Sequence, residues 1–117
     1  MLKLYKLDGK MAVECGSLQE WAEWMETNNR RVAFDEIGDI AISTVFLGID
    51  HKLWGNGDPL LFETMVFYAE RGNQTKQYFI WAEAEEGHRE FVEDIKQQTT
   101  VAADKVCDLI SKVRSDK

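Results

Sequence analysis

The chain reads as an α+β domain: an antiparallel sheet of about five or six strands, one short helix and a long C-terminal helix. Three observations predict this. Ile40 to Phe67 holds two apolar runs dense in β-branched and aromatic residues, joined by a Gly-rich loop, and that is strand composition. Asp8-Gly9 and Gly38-Asp39 place tight turns between short alternating segments, so the strands they join pair antiparallel. From Ala82 onward the apolar positions step by three or four, and no strand pattern returns.

Taken in order, Leu2 to Leu7 and Met11 to Cys15 flank Asp8-Gly9, where a type I′ hairpin is expected. Ser17 opens Ser-Leu-Gln-Glu, a capping box in which the Ser17 hydroxyl and the Glu20 carboxylate satisfy backbone donors at a helix start. Leu18, Trp21, Ala22 and Met25 fall at helical spacing, so a short amphipathic helix over 18–27 follows, ended by Asn28 and Asn29. Trp21 and Trp24 are expected in the core or at its edge. Arg30 to Ile37 alternates loosely and turns at Gly38-Asp39 into the first central strand.

In that strand Ile40, Ile42, Thr44 and Phe46 share one face and Ala41, Ser43, Val45 and Leu47 the other, and both faces are expected to be largely buried. In the second, Leu60, Phe62, Thr64 and Val66 alternate with Leu61, Glu63, Met65 and Phe67. Glu63 is then a lone carboxylate on an apolar face, which is costly unless it is paired. Glu70 to Lys76 reads as a polar turn before a last short strand, Gln77 to Ile80.

Ala84, His88, Phe91, Ile95, Gln98, Ala102, Val106, Leu109 and Val113 form one helical stripe, with Gly87 as a weak point. Unbroken, residues 82–115 span about 51 Å, whereas a compact domain of this length has a diameter of roughly 35 Å. Either the helix breaks near 97–100, at Thr99, Thr100 and Val101, or its last turns project and pair with another chain. Residues 1–96 accordingly form the α+β domain, and 97–117 continue its last helix rather than forming a separate domain.

Twenty-one acidic against 14 basic residues give a formal charge of −7. This argues against direct binding of nucleic acid or an anionic membrane and suits a basic partner or a solvated surface. No long apolar run is present and MLKLYKLDGK soon turns polar, so neither a span nor a signal peptide is expected, and the cytoplasm is the expected location. Cys15 and Cys107 lack ligand spacing and read as reduced packing thiols. Residues 82–98 hold six acidic and two basic side chains, a face able to imitate phosphate charge.

Candidate site residues cluster on the two histidines. His51 and Trp54 lie in the loop Asp50 to Pro59, the longest loop and the expected partner-touching element; His88 lies on the long helix, one turn after Glu85, and Glu63 stands between the histidines in sequence. Two imidazoles and a carboxylate suit a divalent metal, acid and base chemistry, a polar small-molecule pocket, or hydrogen bonds that tie the loop to the helix. The dispersed spacing lacks HExxH or HxxxH character, and neither a phosphate-cradling loop nor a nucleophile elbow is present. No metal, cofactor or catalytic residue is therefore assigned.

The motifs Ser43-Thr-Val-Phe-Leu-Gly-Ile-Asp-His51, Pro59-Leu-Leu-Phe-Glu-Thr-Met-Val-Phe67 and Trp81-Ala-Glu-Ala-Glu-Glu-Gly-His88 resemble a family of small proteins of tailed phages and prophages, mostly hypothetical. The resemblance runs from about Leu7 through Val92. It implies a phage accessory protein that binds and inhibits or sequesters a host defence component such as a CRISPR nuclease. A nucleotide-like sponge and a metal-dependent hydrolase using His51, Glu63 and His88 are the alternatives. The C-terminal stripe implies a homodimer or higher oligomer.

Overall fold

A computed structural model describes residues 3–50, 57–69 and 72–115, with side chains through Thr99. The elements run β1 (Tyr5–Asp8), β2 (Met11–Glu14), α1 (Leu18–Thr27), β3 (Arg31–Ile37), β4 (Ile40–Phe46), β5 (Phe62–Tyr68), β6 (Gly72–Tyr78) and α2 (Trp81–Ser115). The fold is α+β. Its six strands do not form the single sheet expected but divide into a β1-β2 hairpin and a four-stranded antiparallel sheet ordered β3-β4-β5-β6. The division has a local cause. Beyond Phe46 the chain turns at Gly48, whose φ is +77°, and the hairpin's backbone pairs with this departing segment, through a Leu4–Ile49 bridge and a bond from Tyr5 N to Gly48 O of 2.8 Å.

Two further expectations change. Asp8 pairs with Met11, so the turn residues are Gly9-Lys10, and only Gly9 has positive φ; the hairpin is closed by a type II′ turn instead of type I′. Strand β6 begins at Gly72, where a polar turn was expected, because Asn73 to Gln77 pair in register with Phe67 to Glu63 despite a weak strand composition. Its exposed polar side chains suit a sheet edge.

The capping box forms with one change of donor. Ser17 Oγ accepts from Glu20 N at 3.1 Å, while Glu20 Oε2 takes the Gly16 N–H at 2.8 Å. Lys6 Nζ lies 2.8 Å from Glu20, and this bond, then the Gly16 N–H, hold the carboxyl below its ordinary pKa. Trp21 donates its indole N–H to Gly48 O, and Trp24 meets Phe46 edge-on, so both tryptophans serve packing. The half-buried Cys15 thiol is pushed up in pKa, first by burial, as suits an unreactive thiol.

The hairpin, α1 and α2 all pack on one face of the four-stranded sheet. At one end Phe46, Leu61, Phe62, Tyr78 and Ala84 are buried beneath Tyr5, Leu7, Ala12, Trp24 and Trp81. At the other, Ile42, Val66 and Ile95 pack with Ile37, Ile40, Phe91 and Val92. The opposite face was expected to be buried and is not: Val45, Glu63 and Met65 are half-buried, and Phe34 and Phe67 are exposed. α2 runs unbroken from Trp81 to Ser115, and the long dimension of 73 Å reflects a helix that continues past Ile95, the last of its described side chains in these clusters. No helix among the described residues is long and apolar enough to cross a membrane.

α2 crosses β6 so closely at Gly87 that a Cβ there would overlap the Tyr78 ring and hydroxyl. Helix propensity alone favours Gly87→Ala by about 1 kcal/mol, but overpacking costs about 1–3 kcal/mol. Gly87→Ala is expected to lower the urea midpoint; a raised midpoint would show that the helix lifts away freely.

Candidate functional site

The sequence alternation that buries Phe46, Phe62, Ile42 and Val66 also turns Thr44 and Thr64 inward, and the register sets these two directly opposite each other. Their hydroxyl oxygens are 2.5 Å apart. His88, 4% exposed on the inner face of α2, completes the chain: Nδ1 lies 2.7 Å from Thr44 Oγ1, and Nε2 lies 2.7 Å from Asp35 Oδ2 on edge strand β3. In the tautomer whose Nε2–H donates to Asp35, Nδ1 accepts the Thr44 hydroxyl, and Thr44 in turn accepts from Thr64. Carboxylate, imidazole and hydroxyl in line resemble a nucleophile with its base. Both threonines are wholly buried, so no substrate can reach either oxygen, and the chain instead joins β3, β4, β5 and α2.

Tyr78 lies beside this chain. Its hydroxyl is buried without a hydrogen bond of good geometry; burial first, then the Glu90 carboxylate, raise its pKa, and the neighbouring Thr64 hydroxyl opposes them.

Among the described residues, the sequence candidates Glu63 and His88 are not brought together. Glu63 is half-buried on the open face of the sheet, where Oε2 accepts from Gln77 Nε2 at 3.1 Å, its cross-strand neighbour. His88 lies on the other face and bonds to Asp35 and Thr44 instead of Glu63. Glu85 is half-exposed: it accepts the Trp81 indole N–H and lies 3.6 Å from Lys10 Nζ. His51 and Trp54 lie outside the described residues, although Asp50 Oδ1, which accepts from Leu60 N at 3.0 Å, closes the ends of their loop. On the acidic face of α2, Glu83 accepts from the N–H groups of Phe79 and Ile80 at the helix start, while Glu86 and Glu93 bond to Arg89, so much of its charge is engaged locally.

A groove of about 710 Å³ opens between the hairpin, Pro59 and the first turns of α2. Tyr5, Ala12, Leu61 and Trp81 line it, and its rim carries Met11 and Ile80, which are 70% and 55% exposed. Its charged residues are Asp58, Glu85 and Lys10. Sequence reading brought Glu85 and Pro59 into view but not the groove, because Met11 and Ile80 come from separate elements. Compared with protein-family models, curated proteins and solved structures, the chain matches none.

Adjacent residues of β5 separate structural from peripheral polarity. Thr64→Val is expected to cost about 1–3 kcal/mol, since it leaves the buried Thr44 oxygen without a donor, while Glu63→Ala costs under about 1 kcal/mol. Urea unfolding measures both; equal costs would remove the distinction.

Proposed function

We propose that this chain is a phage-type accessory binding protein, acting in the cytoplasm of a bacterial host, that inhibits or sequesters a defence component such as a CRISPR nuclease. The observation that carries the reading is the groove, an apolar cleft edged by the exposed side chains of Met11 and Ile80. Such a patch, left uncovered by the described residues, suits a recognition surface. The charge of −7 favours a partner of basic surface. The three motifs that resemble phage and prophage proteins add the host setting.

Self-association through α2 belongs to the same proposal. Support comes from the helix continuing to Ser115 and from the sequence spacing of Ala102, Val106, Leu109 and Val113. A nucleotide-like ligand is less favoured, because two carboxylates face one ammonium in the groove and Lys10 already lies beside Glu85. A hydrolase has the least support, since both nitrogens of His88 are engaged and Glu63 is on the opposite sheet face.

Affinity capture from host lysate compares the wild-type chain with Ile80→Glu. Ile80 is exposed, so the charge leaves the unfolding midpoint within about 0.5 kcal/mol of wild type. The wild type is expected to retain a stoichiometric host protein that Ile80→Glu loses. Equal retention by both would remove the groove from the binding surface.

A further inference from the structure

We infer that the outer edge of β2 is a strand-addition site, taking an extended peptide whose alternate apolar side chains enter the groove and whose flank carries a lysine or arginine. The inference rests on the groove being the recognition surface and specifies how it recognises. The hairpin register fixes which backbone groups of β2 face outward. Cys15 N donates to Leu4 O at 2.8 Å, and with Asp8 opposite Met11 the hydrogen-bonded pairs are Leu4–Cys15, Lys6–Val13 and Asp8–Met11. The N–H and C=O groups of Ala12 and Glu14 therefore point away from β1. On the far side of β1, Tyr5 N already bonds Gly48 O, whereas β2 has no strand beyond it among the described residues.

Other edges are guarded. β6 presents Asn73, Gln74, Thr75 and Lys76 to solvent, and β3 carries a bulge between Arg31 and Ala33 together with Asp35 and Glu36. β2 carries no bulge, and Glu14 at its end is its one charged residue. Its sequence Met-Ala-Val-Glu is apolar up to Glu14, and two of its residues, Met11 and Ala12, line the groove. A strand added at about 4.8 Å from β2 sends every second side chain toward the same side as Tyr5 and Ala12. That is the side on which the groove lies. Its charge selects the flank: Asp58 and Glu85 outnumber Lys10, and Glu14 stands at the end of the open edge.

The test pans a library of random linear peptides on the full-length chain, with Ile80→Glu as the counter-selection. Peptides retained only by the wild type are expected to alternate apolar residues beside a lysine or arginine and to slow hydrogen exchange at the Ala12 and Glu14 amides. N-methylation of alternate peptide residues is expected to weaken binding at least about tenfold, the loss of one well-formed hydrogen bond. Selected peptides that tolerate N-methylation at every position and leave those amides unprotected would overturn strand addition and leave the groove reading standing. Failure to select any peptide over Ile80→Glu would also overturn strand addition, with the groove then judged by lysate capture alone.

Discussion

The hydrogen-bonded chain that runs from exposed Asp35 into buried His88, Thr44 and Thr64 is the constraint on which the arrangement of sheet and helix depends. Each of its inner groups is costly to bury alone, at about 1–3 kcal/mol when left unsatisfied. Together they satisfy one another, but in a single geometry. A one-residue slip of β4 against β5 parts Thr44 from Thr64 and turns one of them to the open face. Rotating α2 by one residue removes His88 from between Thr44 and Asp35.

The driving force comes from elsewhere. Phe46, Phe62, Ile42, Leu61 and Val66 are wholly or almost wholly buried, and each contributes about 1.5–3 kcal/mol of apolar transfer free energy. A made hydrogen bond contributes a net of only about 0.5–1.5 kcal/mol. Apolar burial thus makes the sheet and helix associate, while the polar chain selects register and orientation. This division also fits a proposed binding surface at the periphery. His88, the histidine among the described residues, has both nitrogens committed to the scaffold, whereas the Met11–Ile80 groove offers shape, apolar surface and backbone.

Elements that depend on neighbours in sequence were legible. The Ser17–Glu20 cap, the packing of Trp21 and Trp24, the turn at Gly38 and the long helix all follow from local spacing. Features set by pairing were not. β6 has no strand composition and exists because β5 offers it an edge, and the hairpin fails to join the main sheet because of the bend at Gly48. The partner of His88, Asp35, is 53 residues away, and that of Glu63 is Gln77 across a strand pair that sequence alone did not define. One signal was present. Two threonines at matching inward positions of adjacent strands, with a histidine on an apolar helical stripe, mark a buried polar contact between layers.

The direct measurement is a double-mutant cycle in urea between Thr44→Val and His88→Phe. Each single variant strands a buried polar partner, whereas the double variant removes both members together. The expected result is that the double variant is less destabilised than the sum of the singles by about 1–3 kcal/mol, with unchanged retention of the host protein. Additive costs, with a coupling near zero, would contradict the assignment of the buried chain as the element that sets helix on sheet.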